Sequence, residues 1–343
     1  MKKSILLFSI LFVFSTICEA QNGPPPERVV FSSGGSNNPA MPVSLGEPFG
    51  GNNGHAGSAQ LTPLAAGSRH QREKLAVLSA APAVALLAVQ GFDAGPALQA
   101  LAAQAAAEHP GVFKWDGQRA QALGVAVAGG QAQQLAGGPF GLGDEVSRCL
   151  SGLAPEWRLP ALLGLTFAED FAIIDAQHGT LPWLMVTLPS HWAPAEKIGR
   201  HFTEVHAPVA DNALLLKAAD SLMRLVTGPE RWERFVWNVT SHPRLNAHPL
   251  VVDPVRWPHA FNAAQAWWRS ERQTFIPLPA LQQAVFTIQV DVQPLASAVN
   301  TAARAGLLFE ALNSMSPAVR AYRSLQPVHA PLLAWLAARA GAG

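Results

Sequence analysis

Between positions 284 and 292 the chain alternates: Phe286, Ile288, Val290 and Val292 fall on one side of an extended strand, and Thr287, Gln289 and Asp291 on the other. Successive strand side chains point to opposite faces, so the pattern predicts a strand with one buried face and one wetter face. Four further segments have strand character, at 170–175, 183–188, 234–240 and 273–278. The first two are joined through His178-Gly179-Thr180, a short turn-like connection that predicts a hairpin. Between the second and third strands two helices are expected, over 194–206 and 211–226; Asp211 or Asn212 caps the second and Gly228-Pro229 stops it. Helices over 296–312 and 330–340 close the chain. The order strand, strand, helices, strand, strand, strand describes an α+β fold, a five-stranded antiparallel sheet with helices on one side, and sensor domains of the PAS type have that layout.

Residues 166–340 would be this PAS-like core. Upstream, 59–165 reads as mostly helical: Leu98, Leu101, Ala102 and Ala105 recur at helical spacing before Pro110. The glycine-rich run from Gly137 to Gly143 lacks the Lys-Ser/Thr ending and the preceding strand of a phosphate loop, and is read as a turn. Residues 21–58 are dominated by Gly, Pro, Asn and Ser and read as a linker or disordered segment. At 1–20, Lys2-Lys3, an apolar run to Ile17 and Cys18-Glu19-Ala20 have the form of a signal peptide too short for a comfortable membrane span. Its Ile, Phe and Ser contrast with an Ala-, Leu-, Trp- and Arg-rich body. A genuine signal implies a periplasmic or secreted protein with no other tie to a membrane; a fused or misassigned start implies a cytoplasmic one.

A chain of 343 residues that is 49% hydrophobic has material for a sizeable core. A net charge of +1 and the lack of any Lys/Arg block argue against a nucleic-acid partner. The two cysteines, Cys18 and Cys149, build neither a disulfide framework nor an iron–sulfur site, and Cys149 sits in an apolar helical pattern as a structural thiol. No flavin or nicotinamide motif is present, and no Gly-x-Ser-x-Gly elbow of a hydrolase.

Ligand-grade residues gather between 188 and 209. On a helix over 194–206, Ile198, Phe202 and Val205 form an apolar stripe with His201 and His206 on its flanks. A neutral imidazole at the edge of an apolar pocket is what five-coordinate heme iron requires. Helix histidines bonded to backbone carbonyls give the same pattern without any ligand. Zinc is disfavoured, because the five-residue separation misses the i, i+4 pair and no nearby Cys or His completes a set.

Lys197, Gly199 and the run His206-x-Pro208-Val209, with Phe167-Ala168-Glu169-Asp170-Phe171, Arg234-Phe235-Val236-Trp237 and Arg269-Ser270-Glu271-Arg272-Gln273-Thr274-Phe275, resemble the alpha subunit of heme-dependent oxidative N-demethylase. The likeness runs from Leu61 onward. It implies a heme b domain that activates dioxygen and oxidises a small secondary amine such as dimethylamine to a primary amine and formaldehyde. A separate reductase would supply the electrons. His206 takes the place of the proximal iron ligand, with His201 in reserve and Phe202, Lys197 and Trp237 beside the cofactor. Arg234, Arg269 and Arg272 are the candidates to face bound dioxygen, whose partial negative charge suits a fixed guanidinium. On its strand Arg234 points away from Phe235, Trp237 and Val239, so one of those two sets lines the pocket and the other does not. Two other readings remain at this level: a heme-binding gas sensor without catalysis, and an exported structural or interaction protein without heme.

Overall fold

The alternation at 284–292 is part of a long strand at the middle of the main sheet. The computed structural model describes residues 29–32, 59–252, 257–258 and 261–341, so the expected signal peptide and most of the expected linker lie outside the described residues. After a short strand β1 (Val29–Ser32) come helix α1 (Arg69–Ala80), strand β2 (Leu86–Ala88) and helix α2 (Gly95–Glu108). Ser68 caps α1 by accepting from the Gln71 backbone N–H, and α2 buries Ala97, Leu98, Leu101, Ala102 and Ala105, the periodic set.

Four strands then interrupt the helical half: β3 (Lys114–Trp115), β4 (Arg119–Ala122), β5 (Val125–Ala128) and β6 (Gln131–Gln134), which form a separate antiparallel sheet in that order. Helical patterning did not reveal them, because β4 and β6 are made of Arg, Ala and Gln. Their turns carry the information. Leu123-Gly124 and Gly129-Gly130 have positive φ at both positions, the two-residue hairpin connection that matches strand twist. Helices α3 (Glu145–Gly152) and α4 (Pro155–Thr166) follow and complete this half.

The five predicted strands are all present, as β7 (Glu169–Asp175), β8 (Thr180–Met185), β9 (Trp232–Thr240), β10 (Trp267–Leu278) and β11 (Gln283–Pro294). Among the described residues the sheet runs β1-β9-β10-β11-β7-β8-β2; its five central strands are antiparallel to one another, and β1 pairs with β9 in parallel. The β7–β8 hairpin turns at Gly179, φ +65°. Between β8 and β9 lie α5 (Phe202–His206), α6 (Ala213–Lys217) and α7 (Ala219–Thr227); after β11 come α8 (Leu295–Ala298), α9 (Ala302–Asn313), α10 (Pro317–Tyr322) and α11 (His329–Ala340). The two long helices expected between strands are thus broken. Gly199 takes φ +69°, which leaves a single 3-10 turn at Pro194–Glu196 before α5, and the second helix divides at Ala218. Among the described residues no helix is long and apolar enough to cross a membrane.

Directly paired residues on neighbouring strands share a face. Arg234, Gln273, Ile288 and Asp170 therefore form one row across the front of the sheet, and Phe275, Phe286, Ala172 and Leu184 another. Glu233, Thr274, Thr287, Phe171 and Met185 form a row across the back. One end of the back packs Phe171, Ile173, Met185 and Val285 against the α1–α4 half; the other packs Trp237, Val239 and Trp268 against the C-terminal helices. The front is covered by the segment from 188 to 227, where Phe202, Met223 and Val226 meet Trp232, Phe275 and Phe286.

One buried ion pair fixes the start of that covering segment. Lys74 on α1, fully buried, donates from Nζ to the Glu169 carbonyl at 2.6 Å and to Asp170 Oδ1 at 3.1 Å. The Asp170 carboxylate also accepts from the backbone N–H groups of Thr187 and Leu188 at 2.9 and 2.7 Å and from the Thr187 hydroxyl at 2.6 Å. A buried carboxylate is tolerated only when so supplied with donors.

Candidate functional site

Helix α5 is five residues long, too short to hold itself, and three side chains close its ends. His201 is its N-cap: Nδ1 accepts from the Thr203 backbone N–H at 3.3 Å, while Glu204 accepts from the His201 backbone N–H at 3.1 Å, a capping box with imidazole in place of a hydroxyl. At the other end Lys197 Nζ donates to the Val205 carbonyl at 2.9 Å, and burial lowers its pKa.

His206 Nδ1 lies 2.8 Å from the carbonyl of Phe202, one turn back. A carbonyl oxygen only accepts, so Nδ1 carries the proton and Nε2 keeps its lone pair. Among the described residues Nε2 has no hydrogen-bond partner. The imidazole pKa is pulled down to about 4, first by burial and then by the charges of Arg234 and Lys197, which keeps it neutral at physiological pH. Its ring stacks at a tilt on Phe202, centroids 4.1 Å apart. A backbone carbonyl holding Nδ1–H is the usual partner that orients a metal-binding histidine. His201 has the opposite tautomer. Its Nδ1 is spent as an acceptor, so Nε2 bears the proton, and that atom would lie 2.4 Å from a Cβ at Gly179, against the hairpin turn. As folded it offers no lone pair to a metal, and the reserve ligand is a helix cap.

The three arginines separate. Arg234 stands on the front of the sheet, near enough to His206 for its charge to act there, and donates from Nε to Gln273 Oε1. Burial lowers its pKa, against the opposing pull of Glu271. Arg272 is one residue out of phase. It belongs to the back face, paired with Glu233 and donating to the Ala59 carbonyl at 2.8 Å, so the sheet separates it from His206. Arg269 shares the front with Arg234 but is 2% exposed and fully engaged: it donates to Ser190 Oγ and to the carbonyls of Arg244, Pro189 and Leu245. It clamps two loops together. Trp237 also lies on the back, stacked on Trp268 with centroids 4.9 Å apart and covered by the Arg323 guanidinium. The structure thus gathers His206, Phe202, Lys197 and Arg234, and removes Arg272, Trp237 and His201.

Two groups escaped the sequence reading. Gln273 and Glu271 follow Arg234 on the front face as a relay, Gln273 Nε2 donating to Glu271 Oε2 at 2.6 Å. Their alternate spacing on β10, in phase with Arg234 once the strands are paired, is the signal that would have found them. His191 and His242 meet edge to face at 5.3 Å, both with pKa values near 4, set first by burial and then by the Arg269 charge.

The residues fit a heme. One neutral imidazole with an unpartnered, oriented nitrogen stands on α5 beside Phe202, which packs in one apolar cluster with the stacked pair Phe275 and Phe286, centroids 5.0 Å apart, and the Arg234 charge acts on it. Among the described residues no three His, Cys, Asp or Glu side chains converge as a ligand set of their own. Residues 97–333, more than half of the chain, match a family model described as "Haem-dependent oxidative N-demethylase, alpha subunit-like". No curated protein matches the chain.

Proposed function

We propose, for a chain that belongs to the haem-dependent oxidative N-demethylase alpha subunit-like family, that it is the heme subunit of an amine-oxidising enzyme, with the cofactor held between the sheet front and α5. The observation that carries the reading is His206, a neutral imidazole whose Nδ1–H is fixed by the Phe202 carbonyl and whose Nε2 is free. The five antiparallel strands, with helices crossing their front, support the PAS-type layout.

When bound, heme supplies the dioxygen and electron chemistry that no side chain here can perform. The chain supplies position and charge. His206 presents Nε2 in one orientation, Lys197 and His201 keep α5 from fraying beneath it, and Phe202 covers one side of the imidazole. Arg234, its Nε held by Gln273, would offer its remaining N–H donors to negative charge that develops on the bound group. A small secondary amine is the proposed substrate, and electrons would come from a separate reductase subunit.

The test is an absorption spectrum of the full chain after heme loading, with and without His206→Ala. The wild type is expected to show a Soret band whose ferric form shifts when dimethylammonium is added. The variant should lose the signature of imidazole ligation. Ligation that survives His206→Ala and disappears in His201→Ala would overturn the ligand assignment, and a wild-type chain without a Soret band would overturn the heme reading itself.

A further inference from the structure

The chain reverses direction just after His206, and one side chain holds the reversal together. α5 ends at His206, where a helix leaves its last carbonyls without partners of its own. Lys197 closes the Val205 carbonyl, and the Val209 N–H donates to the His206 carbonyl at 3.0 Å. Asn212 supplies the rest: its Nδ2 donates to the His206 carbonyl at 3.0 Å and to the Ala207 carbonyl at 2.8 Å. Carbonyl oxygens only accept, so both N–H groups of the amide are used. Asp at this position could only accept, and Ser would bring a single O–H.

The backbone that delivers Asn212 is itself unusual. Asp211 has φ +56°, the left-handed region that Asn and Asp enter more readily than other side chains. Such a conformation persists where neighbouring contacts fix it. Here Asp211 Oδ2 accepts from Ser316 Oγ at 2.7 Å, and Ser316 caps α10 by accepting from the Val319 N–H at 3.1 Å. The far end of α10 is held to β9: Arg323 donates to the Trp237 carbonyl at 2.6 Å, and Asn238 Nδ2 donates to the Arg323 carbonyl at 3.4 Å. Trp237 lies three residues beyond Arg234 on that strand. A path of hydrogen bonds thus joins the His206 main chain, through α10, to the strand that carries Arg234.

We propose that Asn212 is a positioning residue for His206, holding its main chain by two donors, and that Asp211 ties this hold to α10 and β9. The imidazole and Arg234 are kept in register by contacts that touch neither side chain. The inference rests on the heme reading for its consequence at iron, while the hold itself is measured without heme.

The experiment compares the full chain with Asn212→Asp, Asn212→Ala and Asn212→Gln, without and with heme. Asp is nearly isosteric and suits the start of α6, but it sets an acceptor against two carbonyl oxygens, so a residue needed only to begin α6 would tolerate it. Without heme, amide hydrogen exchange followed by mass spectrometry should quicken in peptides covering 202–212, roughly two- to tenfold in Asn212→Ala, the worth of one hydrogen bond. It should quicken further in Asn212→Asp and stay unchanged in β7. With heme, the ferrous iron–histidine stretching band in the resonance Raman spectrum should move or broaden in both variants. Asn212→Gln carries the two donors on a longer arm and should fall between wild type and Asn212→Ala. Asp211→Gly accepts φ +56° without strain but cannot meet Ser316, and should show the same changes in smaller measure. Wild-type exchange in Asn212→Asp, or quickened exchange with the stretching band unmoved, would overturn the positioning role. Wild-type behaviour of Asp211→Gly would overturn the tie to α10. A wild type without a Soret band would defeat the heme reading alone, since the exchange measurement needs no cofactor.

Discussion

Replacing Asp170 with Asn removes the negative member of the fully buried Lys74–Asp170 pair and leaves an ammonium with no counter-charge inside the protein. With the Asn oxygen in the place of Oδ2 the Thr187 and Leu188 N–H groups keep their acceptor, but the amide NH2 then faces Lys74, whose Nζ keeps only the Glu169 carbonyl. Breaking a buried pair from one side costs about 3–5 kcal/mol, a large part of a total stability of about 5–15 kcal/mol. Lys74→Met is the asymmetric control. It removes the cation but leaves Asp170 with two backbone N–H donors and the Thr187 hydroxyl, so the remaining charge is still supplied, and the cost should be nearer 1–2 kcal/mol, that of about one such hydrogen bond. In the double variant no ammonium is stranded, and the two effects should fall short of their sum by about 1–3 kcal/mol. Urea unfolding followed by tryptophan fluorescence and circular dichroism gives all three numbers. The reasoning fails if Lys74→Met costs as much as Asp170→Asn, or if the single effects add within about 0.5 kcal/mol.

Other outcomes follow from the same geometry. His201→Ala should leave the imidazole-ligated heme spectrum unchanged while lowering the melting temperature, through loss of a cap worth about 1 kcal/mol; a changed spectrum would return His201 to the ligand question. Lys197→Met should weaken heme retention severalfold, measured as transfer to apomyoglobin, because the Val205 carbonyl loses its donor; retention equal to wild type would remove Lys197 from the support of α5. His242 has a folded pKa near 4, held down by burial and then by Arg269 and Arg244, below the ordinary 6.5 of an unfolded histidine. The unfolded chain therefore binds more protons between those values, and this contribution to stability is whole above about pH 6.5 and is lost as pH falls toward 4. His242→Asn should flatten the fall of the urea midpoint between pH 7 and 5; an unchanged slope would show that His242 does not titrate differently on unfolding.

The main sheet was legible because its strands carry β-branched and aromatic residues in alternation, Phe286 to Val292 most clearly. The second sheet was not, since strands of Ala and Gln between glycine turns have no apolar face to announce them and gain their order from the α3–α4 helices packed on them. Helix 194–206 failed at Gly199, whose left-handed backbone is invisible to a periodicity argument. Arg272 and Trp237 looked suitable by residue type, yet the sheet has two sides. Only pairing decides which residues share one with Arg234, and it places Glu271 and Gln273 there instead. His206 was reached through a resembling motif; what distinguishes it from His201 is a hydrogen bond, which sequence does not record.

The ten residues from Lys197 to His206 contain part of their own scaffold. The acceptor that sets the His206 tautomer is four residues back, the cap is His201, and the terminal carbonyl is closed by Lys197, so none of the three borrows a partner from outside the segment. The segment is also tied to the β7–β8 hairpin, where the Phe202 N–H donates to the Gly179 carbonyl at 2.7 Å and the Gly199 N–H to the Leu181 carbonyl at 2.8 Å, so its pose is set by its own sequence and that turn together. Transplanted together with that hairpin it should carry an oriented imidazole with it. Inserting one residue between Phe202 and His206 would swing that imidazole by about 100° and take its Nδ1–H away from the Phe202 carbonyl.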